Sequence, residues 1–277
     1  MITAHGSGAV ITTPRHPRVA KARRLLKRAF RHDDRLFLVE GPQGVSEALG
    51  EAGALRELFA TEDAAARLSS LLDRARAADV PVHVTSGAVM DQLTQTVTPQ
   101  GLVGVAGFRD VPLERICGAS PQLVAVLAQV RDPGNAGTVL RSADAAGVDG
   151  VVLTDSSVDP YNPKCARASA GSIFHVPFVV GAPTIATIDA LRGAGLRVLA
   201  AAADGDLALD DAGLGVPTAW VFGNEAHGVP SEVLAHCDGT VAVPIYGRAE
   251  SLNLATAAAL CLYASAQSQR AAGGCRT

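Results

Sequence analysis

The sequence predicts an α/β fold in two parts, a smaller α/β domain followed by a larger one that carries the chemistry. Three observations support this. Short β-rich runs alternate with helical stretches along nearly the whole chain. The stretch 109–122, with Pro112, Gly118 and Pro121, breaks the alternation and reads as a linker. In the second half, each polar motif sits where an apolar strand pattern ends, and there the loops of an open α/β sheet converge on a ligand crevice. A chain of 277 residues is long enough to bury the cores of both parts.

Residues 1–14 are rich in Gly, Ala and Thr and are expected to be disordered. From 17 to 30, Val19, Leu25, Leu26 and Phe30 form an imperfect helical stripe among cations, and residues 1–29 read as a basic N-terminal arm. The first domain, 30–108, should run strand 36–39, helix 44–49, strand 55–60, helix 63–77, strand 80–84, short helix 88–93 and strand 101–106. After the linker, the second domain, 123–269, opens with strand 123–128 and a helix from Ala136 that Gly147 stops. Strand 150–153, helix 163–170, strand 175–180, helix 183–192 and strand 196–201 should follow. Strand 218–222, a short helix 231–235 and strand 240–243 lead to a final helix 251–269. That helix is apolar nearly all round, so it should be covered on more than one side, an oligomer interface supplying the second cover. The tail 270–277 is expected to be loose.

The composition narrows the function classes. No apolar run reaches the roughly 18–20 residues that span a bilayer, and no charged-then-apolar leader opens the chain, so neither a membrane span nor a secretory signal is expected. The five cysteines are scattered and never spaced as CxxC, which argues against a disulfide framework or zinc site and fits a reducing cytoplasm. Net charge is −3 but polarised: residues 15–35 hold nine of the 24 Lys and Arg against two acids. A basic segment on an acidic body suits an anionic partner such as nucleic acid, and equally suits a solvated helix face; Arg23 and Arg24 are its candidate nucleic-acid contacts.

Four motifs could carry chemistry. Asn135-x-Gly137-x-x-x-Arg141 follows Asp132-Pro133-Gly134 at a strand-to-helix turn. A guanidinium there could hold a phosphate by paired hydrogen bonds, although Asn and Gly are ordinary turn residues. Val221-Phe222-Gly223-Asn224-Glu225-Ala226-His227-Gly228 ends a strand with small residues that let a cofactor approach the backbone, or else forms a hairpin with an exposed acid. Val243-Pro244-Ile245 and Ser251-Leu252-Asn253 bracket a loop before the last helix. Its apolar residues suit an adenine or ribose face, and Ser251 is also a good helix cap. Lys164 and Arg167, three apart in a helix start, share one face for phosphate or for water. His175 and His227 lack partners at metal spacing, so no metal is expected. GxGxxG and a Walker lysine are absent, which leaves NAD and ATP without support.

Singly, each motif fits an ordinary turn or cap. Their ordered co-occurrence over 123–269, complete at the polar positions, resembles the SpoU/TrmH family of the SPOUT superfamily, RNA ribose 2′-O-methyltransferases that use S-adenosyl-L-methionine. The block 30–108, with Phe37-Leu38-Val39-Glu40-Gly41, more loosely resembles the substrate-binding domain of longer members. The resemblance implies a parallel sheet with a deep trefoil knot, and a homodimer. It implies that Ala201, Gly223, Val243, Ile245 and Leu252 bind the methyl donor. It also implies that Asn135, Arg141, Glu225, Ser251 and Asn253 form the catalytic and RNA-positioning set. The expected substrate is 23S ribosomal RNA, which is compatible with a role in ribosome-directed drug resistance. A tRNA ribose methyltransferase and a non-catalytic RNA-binding or ribosome-assembly factor are the alternatives.

Overall fold

Apolar, β-branched runs become the strands of two separate sheets in the computed structural model, which describes residues 9–273. The elements of the first part are α1 (Pro17–Arg24), α2 (Arg28–Asp34), β1 (Leu36–Glu40), α3 (Pro42–Gly50), β2 (Leu55–Thr61), α4 (Glu62–Arg67), α5 (Ser69–Ala77), β3 (Val82–Thr85), α6 (Gly87–Met90) and β4 (Leu102–Gly107). Then come α7 (Leu113–Cys117), β5 (Leu123–Leu127), α8 (Pro133–Ala146), β6 (Gly150–Thr154), α9 (Pro163–Ala168), β7 (Phe178–Ala182) and α10 (Thr184–Gly193). The chain closes with β8 (Arg197–Ala201), β9 (Leu207–Ala208), β10 (Thr218–Phe222), α11 (Ser231–Leu234), β11 (Gly239–Ala242) and α12 (Leu254–Ala272).

The first compact unit comprises the chain up to Phe108 together with Tyr161–Phe174. Its sheet runs β1-β4-β2-β3, antiparallel except for the parallel β2–β3 pair. Two expectations need correction here. The expected arm is not an arm, because Val19, Ala22 and Leu25 are buried in the unit's core with Leu38, Phe59 and Val103. Arg31, 2% exposed, donates to the Leu25 and Leu26 carbonyls and so satisfies the end of α1. Ile11, expected in a disordered stretch, is bridged to Thr85; residues 1–8 lie outside the described chain.

Helix α9, expected in the second domain, belongs to the first unit for an aromatic reason. Tyr161 stacks on Phe108 at 3.6 Å between centroids and lies 4.9 Å from Phe37, and Phe174 lies 5.9 Å from Phe37. Ring pairs of this kind contribute beyond their buried area. The helix expected over 63–77 is two helices, broken at Leu68, whose backbone leaves the helical region at φ −112°, ψ 30°.

The second unit comprises Arg109–Pro160 and the chain from His175 onward. The expected linker is part of it: α7 contributes the buried Ile116 to a core with Val124, Val126, Val152, Ile188 and Val198. Its seven strands run β7-β6-β5-β10-β8-β11-β9, and every assigned pair is parallel. Near-continuous apolar strands such as Leu123–Leu127 and Thr218–Phe222 are buried throughout, as a parallel sheet covered on both faces requires. The chain moves outward from β5 through β6 to β7, crosses to β8 and β9 on the other side, and returns with β10 between β5 and β8. That reversal of strand order opens a crevice at the carboxyl ends of β5 and β10.

Helix α12 packs on α8 and β10 through Ala255, Ala258, Cys261, Leu262, Ser265 and Ala266. The buried Trp220 indole donates to Ser265 Oγ at 2.8 Å; leaving that N–H without an acceptor would cost about 1–3 kcal/mol. Leu260 and Tyr263, on its other side, are exposed, so within one chain the helix is covered on one face only. The helix extends to Ala272, past the boundary expected for the loose tail, and residues 274–277 lie outside the described chain.

Candidate functional site

Parallel pairing brings the distant motifs to one place. With β5, β10, β8 and β11 as neighbours in that order, their carboxyl ends align in a row. The turns that follow Leu127, Phe222, Ala201 and Ala242 therefore share one edge of the sheet. Between them lies a cavity of about 320 Å³, at the lower end of the ligand-pocket range. Ala201, Gly223, Val243, Ile245 and Leu252 all line it, as do Glu225 and Ser251.

The loop after β10 is built to come close to itself. Asn224 and Gly228 exchange two backbone hydrogen bonds of 2.8 Å, and Gly228 takes φ +66°, which glycine adopts without penalty. A side chain on Gly223 would sit 2.2 Å from the Gly228 carbonyl, so only glycine fits there. Asn224 Oδ1 accepts from the Ala226 and His227 amides, and Nδ2 donates to the Gln129 carbonyl at 3.0 Å, tying this loop to the one after β5.

The polar residues form a connected chain at the same edge. Asp132 caps α8 by accepting from the Asn135 backbone, with Pro133 at the first helical position. Asn135 Nδ2 donates to Glu225 Oε1 at 3.1 Å, and Asn135 Oδ1 accepts from Asn253 Nδ2 at 3.1 Å. Asn253 Oδ1 accepts from the Ala255 and Thr256 amides and so caps α12. The cap expected at Ser251 is therefore made two residues later, and the Ser251 residue lines the cavity instead. Each amide has its orientation fixed by the next group in the chain, leaving one further N–H on Asn135 and on Asn253 to aim at a substrate.

Glu225 anchors this chain as a carboxylate. Burial pushes its carboxyl pKa up. Hydrogen bonds from the backbone amides of Asp132, Glu225 itself and Arg131, and from the Asn135 side chain, outweigh burial and hold it below the usual carboxylate range. A depressed folded-state pKa contributes stability that is present above the ordinary value and lost as pH falls through the folded one. The amide chain should therefore loosen only below about pH 4.5, the ordinary glutamate value. Glu225→Gln should lower the urea midpoint at pH 7 and flatten its decline on acidification; an unchanged midpoint at pH 7 would show that the carboxylate is dispensable.

Arg141 is not drawn into this cluster. The helix begins at Pro133 rather than Ala136, so Arg141 lies some 12 Å along it. It is exposed, and six residues from Asn135 it points about 120° away around the helix. The other basic candidates lie in the first unit. Arg167 donates to the Glu40 carboxylate at 2.8 Å beside a cavity of about 410 Å³ that Thr96 and Gln100 also line. Arg24 lies 3.7 Å from Asp34 and over the Phe30 ring, Arg23 reaches Gln92 at 3.4 Å, and Lys164 is exposed.

Sequence reasoning missed Asp132, Gln129 and Asn224 as site builders, and Ala202, Ala203, Phe222, Leu254 and Ala257 as lining. The Asp-Pro cap signal could have identified Asp132; the left-handed backbone of Gln129 leaves no sequence signal. Burial pushes the Cys237 thiol to about 11, with Asp238 adding to the effect, and the Cys261 thiol to about 12, so neither is a nucleophile at neutral pH. Cys275 lies outside the described residues, among which no group of three or more His, Cys, Asp or Glu is placed to hold a metal ion.

An apolar wall with a few convergent polar groups at a sheet switch point fits a small-molecule site. Residues 122–263 match the model of the SpoU rRNA Methylase family, and residues 16–104 match that of the MRM3-like substrate binding domain. The 23S rRNA (guanosine(2553)-2'-O)-methyltransferase RlmP of Bacillus subtilis is 33% identical over 91% of this chain and 97% of its own length. The 23S rRNA (uridine(2479)-2'-O)-methyltransferase of Streptomyces viridochromogenes is 32% identical over 86% of this chain and 84% of its own. Among solved structures, the AdoMet-bound rRNA methyltransferase from Sinorhizobium meliloti superposes with a TM-score of 0.82 at 30% identity, covering 94% of this chain and 97% of that one.

Proposed function

Because the chain belongs to the SpoU rRNA methylase family, we propose that it methylates a ribose 2′-hydroxyl of RNA, with 23S ribosomal RNA as the substrate. S-adenosylmethionine is its cofactor and, when bound, supplies an electrophilic methyl group on a sulfonium. The observation that carries the reading is the meeting of the donor-pocket wall with the Glu225–Asn135–Asn253 chain at one edge of the sheet. Ala201, Gly223, Val243, Ile245 and Leu252 would hold the donor, with adenine against the apolar side chains and its edges on backbone groups. Ser251 would keep the pocket's shape.

Methyl transfer to a ribose asks for an in-line approach, so most of the catalysis is positioning. The free N–H groups of Asn135 and Asn253 would orient the ribose, fixed in turn by Glu225. Arg141 would hold a substrate phosphate as a permanent cation. A guanidinium is not deprotonated in proteins, so the hydroxyl's proton would leave to that phosphate or to water. Because Arg141 does not line the donor cavity, Arg141→Ala should abolish transfer through loss of the phosphate contact while donor affinity stays near wild type. Lost donor affinity by isothermal titration would contradict this assignment.

The exposed cations Arg23, Arg24 and Lys164, with Arg167, would meet the RNA backbone through the first unit. We propose two domains at the boundaries of the compact units, a knotted thread through the second unit, and a homodimer. The exposed Leu260 and Tyr263 of α12 support the dimer, which would cover them. No helix is long and apolar enough to cross a membrane among the described residues, and we place the protein in the cytoplasm, where ribosomal RNA is modified. Radiolabelled methyl incorporation into naked 23S ribosomal RNA and into tRNA, followed by mass-spectrometric mapping, tests the reading. Ribose methylation of 23S RNA is expected; incorporation into tRNA alone would select the runner-up, and none into either would overturn both.

A further inference from the structure

The loop between β11 and α12 leaves the donor pocket and returns to it. Val243 and Ile245 line the pocket on the way out, and Ser251 and Leu252 on the way back. The apex between them, Tyr246-Gly247-Arg248-Ala249-Glu250, is exposed throughout. Tyr246 itself is 92% exposed. Among the other aromatic residues of the second unit, Phe178, Trp220 and Phe222 are buried and Tyr263 lies half-exposed on α12. Phe222, the remaining aromatic at the pocket, is walled in at 2% exposure.

A ring held in water contributes nothing to the core. It is costly to keep exposed and well suited to receive a planar partner. Its place is one residue beyond the pocket wall at Ile245, so a nucleotide whose ribose reaches the pocket mouth would bring its own base, or the adjacent one, against this ring. Arg248, two residues on, adds a cation for the backbone phosphate or for the base's face. Base stacking on an aromatic side chain is tolerant of sequence and strong enough to set affinity.

We propose that Tyr246, with Arg248 beside it, is the platform on which the target nucleotide stacks, a substrate-binding role distinct from the donor wall and the amide chain. This rests on the RNA ribose reading above, and the experiment separates the two. Wild type, Tyr246→Ala, Tyr246→Phe and Tyr246→Trp are compared for RNA KM and kcat, donor affinity by titration, melting temperature and sedimentation. Tyr246→Ala should raise RNA KM roughly 10- to 100-fold, with donor affinity, melting temperature and oligomeric state unchanged, and Phe or Trp should restore KM to within about threefold. An unchanged KM in Tyr246→Ala with active wild type overturns the platform alone. So does failure of Phe to rescue, which would assign the role to the hydroxyl. Lost donor affinity would make the ring part of the pocket, and a changed oligomeric state would make it a contact between copies; either sinks the proposal. A wild type inactive on every RNA would instead remove the reading on which it rests.

Discussion

Gly223→Ala should weaken S-adenosylmethionine binding roughly 10- to 100-fold and lower methyl transfer with it. The added Cβ would sit 2.2 Å from both the carbon and the oxygen of the Gly228 carbonyl and 2.3 Å from the Val229 nitrogen. All three are backbone atoms, so no rotamer relieves the clash and the loop itself must move. Overpacking of this kind costs typically 1–3 kcal/mol in a well-packed interior. Here the strain falls on Asn224, Glu225, Ala226 and Gly228, which line the pocket. Gly228→Ala supplies the contrast: it meets nothing within 4 Å and carries only the cost of φ +66°, about 1–2 kcal/mol. It should therefore lose far less affinity in the same titration. Wild-type donor affinity in Gly223→Ala would show that the close approach is not what shapes the pocket.

Asn135→Ala should lower kcat roughly 100-fold and leave the donor dissociation constant nearly unchanged. The substitution removes the group that donates to Glu225 and accepts from Asn253, so both ends of the chain lose their orientation at once. Neither Asn135 nor Asn253 lines the donor cavity, which is why turnover and not donor affinity should suffer. Asn135→Asp should be worse at neutral pH, because it places a carboxylate against the depressed carboxylate of Glu225. Single-turnover rates with saturating donor measure the effect. Full turnover in Asn135→Ala would reduce the amide chain to scaffolding.

Much of this was legible from residues alone because local chemistry determines it. The apolar run Thr218–Phe222 is a strand with the expected ends, and Gly147 ends α8 with φ 74°, as a glycine after a helical stripe should. All five residues assigned to the donor line one cavity, since glycines and apolar strand ends in order along the chain are features a sequence displays directly. Other outcomes depend on partners far away in the chain. The sequence offers Ser251 as the cap for α12, but Asn253 makes it, and the bond from Asn253 to Asn135, 118 residues earlier, shows the arrangement the fold selects. Tyr161 and Phe174 carry α9 into the first unit because aromatic partners await them at Phe37 and Phe108, whatever the β/α rhythm around them suggests.

The sequence by itself determined the two-part α/β plan, the strand ends that bear the motifs and the kinds of side chain those motifs contribute. Turn, cap and periodicity preferences act over a few residues and survive in any context. Only the tertiary structure decided that β10 lies between β5 and β8, that Glu225, Asn135 and Asn253 join hands while Arg141 stands apart, and that the basic N-terminal segment is a packed pair of helices. Those outcomes depend on which strands pair and which buried surfaces meet, and such long-range contacts are set by the whole chain at once.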